Sequence, residues 1–118
     1  MVTLSGGRDL ADVRRVIAFV RTDVSGTGCA TDVDSIRAAC AAAGYKLACV
    51  VESNPAHDAA PIMRVLDARD RERAHAVIAP GPDHFGDRIG AVSAVAFVLT
   101  LAPRAVWHRG ERIAEDWG

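Results

Sequence analysis

The sequence predicts a single α/β domain built on a mainly parallel sheet of four to five strands, layered between helices. Three observations predict it. An unbroken apolar run, Val16-Ile17-Ala18-Phe19-Val20, is what a strand buried on both faces of a parallel sheet requires. Short apolar runs of this kind then alternate with helical patterns in the order βαβαβαβ, and parallel strands need such crossovers. The breaks between elements fall on residues that end and start helices, notably Gly44 and Pro61.

Residues 1–14 read as a flexible N-terminal segment, with Ser5-Gly6-Gly7 as a joint and a short helical turn over Asp9–Arg14. Residues 15–118 read as the domain. Strand one is Val16–Val20. A polar, glycine-bearing loop over Asp23–Ala30 follows, and Thr31 suits the N-cap of the first helix. Val33, Ile36, Cys40 and Ala43 recur at helical spacing, and Gly44 ends the helix. Tyr45–Val51 is the second strand. Pro61 opens a second helix whose buried face is Ile62, Val65 and Leu66. Its other side alternates in charge through Arg64, Asp67, Arg69, Asp70, Arg71, Glu72 and Arg73, the pattern of a solvated face. Ala76–Ala79 is a third strand, broken sharply by Pro80-Gly81-Pro82. A third helix is predicted from about Arg88 to Ala102, ended by Pro103. Ala105–His108 is a fourth strand, and Glu111–Gly118 a polar tail.

Composition narrows the function classes. Lys and Arg number 14 against 15 Asp and Glu, a formal net charge of -1, so the chain lacks the cationic excess that grips nucleic acid. Three cysteines, Cys29, Cys40 and Cys49, make neither a disulfide framework nor a zinc pattern and read as reduced thiols. Met1–Asp12 has no apolar core of the signal-peptide kind, and the apolar stretch Ala91–Ala102 is too short to span a bilayer. A soluble cytoplasmic protein is expected.

From Val16 to about Ile113 the chain resembles the N-terminal catalytic domain of serine recombinases, the resolvase/invertase family. Strand one of that family reads aromatic, any residue, arginine, small apolar residue, nucleophilic serine; here it is Phe19-Val20-Arg21-Thr22-Asp23. The small-residue helix end before strand two matches Ile36–Tyr45, and the mid-helix leucine matches Leu66. The family's Asp-Arg-Leu-x-Arg motif falls on Asp83-His84-Phe85-Gly86-Asp87. The resemblance implies a resolvase-like fold whose chemistry is dismantled. Asp23 stands at the nucleophile position, and His84 and Asp87 replace the two motif arginines. The family's glutamine is missing, because the chain contains no glutamine at all. Only Arg21 and Asp83 persist. Strand exchange needs a serine oxygen to attack a phosphodiester and arginines to balance the charge that develops. An aspartate there repels the phosphate. The family's long dimer-forming helix and DNA-binding domain do not fall within these 118 residues, so sequence-specific nucleic-acid binding is not expected. The reading that results is a catalytically inactive interaction or regulatory module.

Two other readings compete with it. A small enzyme or binding protein could hold a phosphorylated ligand on Arg21, Ser25, Gly26, Thr27 and Gly28, since glycines free backbone N–H groups to face an anion. An accessory DNA-binding partner of recombinases is the other. Single residues carry further alternatives: Ser25 as a displaced nucleophile, Cys29 as a reactive thiol, Arg21 simply paired with Asp23 or Asp83, and Asp23, Asp83, His84 and Asp87 as metal ligands. No metal or cofactor is expected overall.

The predicted helix 88–102 is apolar almost all round, and such a helix is buried on every side. Leaving its Val, Leu and Phe side chains in water would forfeit about 1.5–3 kcal/mol each. A homo-oligomer, or another protein partner, is therefore expected on Val92, Val95, Phe97, Val98, Leu99 and Leu101. The alternative cover is the chain itself, through Trp107, Trp117 and the N-terminal segment.

Overall fold

Five consecutive apolar residues make strand β1 (Arg15–Arg21) an interior strand of the sheet in the computed structural model, which describes residues 13–54 and 56–117. Even-numbered Val16, Ala18 and Val20 enter one core cluster and odd-numbered Ile17 and Phe19 the other, as a strand covered on both faces demands. The expected joint at Ser5–Gly7, and the helical turn as far as residue 12, lie outside the described residues. Val13 already packs in the core, only 1 % exposed.

After β1 come a four-residue helix α1 (Thr22–Ser25), a 3-10 turn over Gly26–Gly28, and the long helix α2 (Cys29–Ala43). The expected loop over Asp23–Ala30 is thus helical nearly throughout. Thr31 is no N-cap but sits inside α2, because the 3-10 turn feeds straight into Cys29. The C-terminus is as expected. Gly44 adopts φ +76, its N–H donates to the Ala41 carbonyl at 3.2 Å, and the Tyr45 N–H donates to that of Cys40 at 2.9 Å. Strand β2 (Lys46–Ser53) follows, then helix α3 (Pro61–Glu72) with Pro61 in its first turn, and strand β3 (Ala76–Ala79).

The third predicted helix is corrected. Residues 88–102 divide into a short helix α4 (Ile89–Ser93), a turn, and strand β4 (Phe97–Leu101). β4 pairs parallel with β3 and antiparallel with β5 (Arg104–His108), and its side chains alternate between the two core clusters. An apolar stretch buried all round satisfies this position as well as it would a buried helix. Pro103 belongs to the β4–β5 turn, not to a helix end. The tail is corrected too: Glu111–Ala114 is strand β6, antiparallel to β5 across Arg109-Gly110, whose φ values are +52 and +81.

The sheet therefore has six strands in the order β2-β1-β3-β4-β5-β6, the first four parallel and the last two antiparallel. It is mixed, and larger than the four to five strands expected. α2 packs on one face through Ile36 and Cys40, while α3 and α4 pack on the other through Val65, Ala68 and Val92. Val92, Phe97, Val98 and Leu99 are all at most 3 % exposed and fill this chain's own core. Of the residues expected at an interface, only Val95 is well exposed. The covering role falls on the chain itself: Trp107 packs against the α3 face. Trp117 closes the α2 face, donating its Nε1–H to the Thr100 carbonyl at 2.9 Å and stacking on Tyr45. Among the described residues, no helix is long and apolar enough to cross a membrane.

Candidate functional site

The chain runs from β1 outward to β2 at the sheet edge, then returns past β1 to β3. The crossover helices thus leave opposite faces at β1 and β3, and the C-terminal ends of these two strands frame the crevice where open α/β sheets place their sites. Arg21 ends β1, and Pro80–Phe85 follows β3. The two segments are tied together: the Arg21 backbone N–H donates to His84 Nδ1 at 2.9 Å. That bond fixes the tautomer, since Nδ1 must be unprotonated to accept it.

Arg21 and Asp23 form a fork. The Arg21 Nε donates to Asp23 Oδ1 at 3.1 Å and Nη2 to Oδ2 at 2.7 Å. The same carboxylate accepts the backbone N–H groups of Asp23 and Val24. The hydrogen bond from Arg21 is the main cause that holds the Asp23 carboxyl below the usual carboxylate range. The first amides of α1 and two of the Arg21 nitrogens are thus satisfied by the chain's own anion. Asp83 folds back over Gly81, where a Cβ would stand 2.8 Å from Asp83 Oδ1. His84 is buried, 3 % exposed, and burial pushes its imidazole below the ordinary value against the upward pull of Asp83, Asp32 and Asp23.

The structure brings Arg21, Asp23, Asp83 and His84 to one end of the sheet. Asp87 meets this group only through Arg21, with which it shares the rim of a cavity; it is almost fully exposed, 3.6 Å from Arg88 Nε. The expected anion loop is differently engaged. Ser25 donates its hydroxyl to Asp32 at 2.5 Å, which clamps the 3-10 turn to α2, and the Gly26 N–H donates to the Thr22 carbonyl. Thr27 and Gly28 continue that turn into α2. Ser25 has a carboxylate partner where a serine nucleophile needs an imidazole or amine base. Cys29 is a free, half-buried thiol, and burial pushes the Cys40 thiol up to about 11. Among the described residues, no group of three or more His, Cys, Asp or Glu stands close enough to hold a metal ion.

Beside the crevice, on the α3 face, lies a cavity of about 380 Å³. Arg21, Gly86 and Arg88 edge it, and Phe85, Met63 and Leu66 supply apolar wall. Its outer wall is held by the β2–α3 connection, where Asp58 accepts from Ser53 Oγ at 2.7 Å and from Arg64 Nη1 at 3.1 Å. Sequence reasoning did not find this cavity, because its lining comes from three separated segments. Pro61 was the one local signal, since it fixes where α3 begins and hence where Ile62 and Met63 stand.

No protein-family model matches this chain, and no curated protein or solved structure is significantly similar to it.

Proposed function

We propose that the chain carries a recombinase-type scaffold without strand-exchange chemistry and works as an interaction or regulatory module. The fork between Arg21 and Asp23 carries this reading. In the resemblance, position 23 is the attacking serine and position 21 a phosphate-facing arginine. Here a carboxylate stands at the first and engages two nitrogens of the second. An incoming phosphodiester would meet a negative charge instead of a nucleophile, and a guanidinium whose Nε and Nη2 already face Asp23. The position of the first motif arginine carries His84, whose Nδ1 accepts a backbone N–H and whose burial favours the neutral form, so it adds no positive charge.

The chemistry is tested with supercoiled plasmid DNA incubated with the purified chain, then denatured and resolved with and without protease. No nicked or relaxed product and no protein–DNA adduct are expected. A protease-sensitive adduct on DNA would overturn the reading. A second copy of the chain is one partner such a module could use, and light scattering over a concentration series reads it directly. A mass that doubles with concentration supports self-association; a constant monomer mass removes a second copy as the partner.

A further inference from the structure

We propose that the cavity between α3 and the Phe85–Arg88 turn is a binding site for a small monocarboxylate with an aryl or branched aliphatic body. This goes beyond the scaffold reading and does not depend on it.

The volume, about 380 Å³, falls within the roughly 300–1,000 Å³ of small-molecule sites. The walls are apolar where Phe85, Ile62, Leu66 and Ala91 meet. Phe85 itself is fixed, 1 % exposed, with its ring 5.3 Å from that of Phe19 beneath it. Met63 lines the same cavity yet is 55 % exposed, one of three large apolar side chains so exposed among the described residues. An apolar ligand body would cover it.

The polar edge is cationic and planar. Arg21 uses Nε and one N–H of Nη2 on Asp23, while Nη1 stands beside Gly86, which lines the cavity with Arg21. Nη1 stands 3.5 Å from where a Cβ on Gly86 would be, so Arg21 and the Gly86 wall are in contact distance, and the φ of +58 at Gly86 is what favours a glycine there. Arg88 stands on the same edge, its Nε 3.6 Å from the exposed Asp87 carboxylate. A carboxylate bridging Arg21 Nη1 and Arg88 would receive charge-assisted hydrogen bonds from both. The charge balance selects its valence. Two arginines face two aspartates, Asp23 and Asp87, a formal balance of zero, so a monoanion leaves the edge one negative charge in excess and a doubly charged phosphate leaves it two, which favours the carboxylate.

The test uses 4-phenylbutyrate as probe, with 4-phenylbutanamide as the neutral control and 2-phenylethyl phosphate as the dianion. Titrations are followed by the amide resonances of Met63, Gly86, Arg88 and Ala91. Saturable shifts with a Kd below about 1 mM are expected for the carboxylate. Binding of both controls should be about tenfold weaker, the size of one charge-assisted hydrogen bond. Arg88→Ala should weaken the carboxylate about tenfold. Ala91→Trp, at an exposed wall position, should abolish binding while leaving the circular dichroism and apo Tm near those of the parent. Met63→Trp serves if that variant fails to fold. The proposal is overturned by an absence of saturable shifts at these amides up to about 10 mM. Equal or tighter binding of the amide or the phosphate, or binding that survives a folded cavity-filling variant, overturns it as well.

Discussion

Leu99→Ala is expected to lower the unfolding free energy by about 2–5 kcal/mol, while Val95→Ala, four residues earlier, is expected to lower it by no more than about 0.5 kcal/mol. The pair separates two structures for one stretch of chain. On a continuous helix over 88–102 these residues are one turn apart on the same face, so their truncations would cost similar amounts. In the observed fold they are unlike. Val95 lies in the turn between α4 and β4 and is 47 % exposed. Leu99 is fully buried in β4, opposite Ile78 of β3 and Val106 of β5. Removing its branched end leaves a cavity in a layer where neighbouring strands and the Trp117 side of the core prevent collapse. Urea unfolding of the two variants against the parent is the measurement. Equal losses would restore the helix and remove the six-stranded order.

That stretch also shows where the sequence stops being legible. Ala91–Ala102 contains no glycine or proline before Pro103, and an apolar run without breaks is compatible with a buried strand as much as a buried helix. Periodicity cannot separate them when every face is covered. Composition could have: Phe97, Val98 and Thr100 favour strands. β6 was hidden for the opposite reason. Its outer residues, Glu111 and Arg112, are exposed, and only Ile113 and Ala114 turn inward, so the segment reads as a polar tail. Arg109-Gly110 was the available signal, because a two-residue turn with both φ positive favours glycine and joins antiparallel strands. β1, β3, α3 and the end of α2 were legible because each has a local cause: an unbroken apolar run, a proline at a helix start, a glycine at a left-handed helix end.

The site divides along the same line. Convergence of Arg21, Asp23, Asp83 and His84 follows from strand order alone, because β1 and β3 are neighbours and their C-terminal ends share a crevice. What each side chain does there depends on geometry no spacing encodes. Ser25 looked like a free hydroxyl in a glycine loop and is instead the clamp on Asp32. Asp23 was one of two partners the sequence offered for Arg21; what it did not show is that the same carboxylate also accepts the first amides of α1.

His84 makes that crevice sensitive to acid, and the sign is fixed by its burial. An unfolded histidine titrates near pH 6.5. The folded imidazole is lowered below that value, chiefly because burial disfavours the charged form. The unfolded chain therefore binds the proton first, and stability falls as pH drops below about 6.5 toward the folded value. Above about 6.5 the contribution is fully present. Protonation would also place a second N–H against the Arg21 N–H that Nδ1 now accepts. The carboxylates with lowered values, Asp23, Asp58 and Asp116, lose their contributions only further down, below about pH 4, so the loss that begins near pH 6.5 belongs to the imidazole. His84→Gln retains an acceptor for Arg21 but does not titrate, and its urea stability should depend less on pH between about 6.5 and 5 than that of the parent. His84→Leu strands the part-buried Arg21 N–H and should cost about 1–3 kcal/mol at pH 7.5. If parent and glutamine variant trace parallel curves through that interval, the imidazole is not what couples protonation to the join between β1 and the segment after β3.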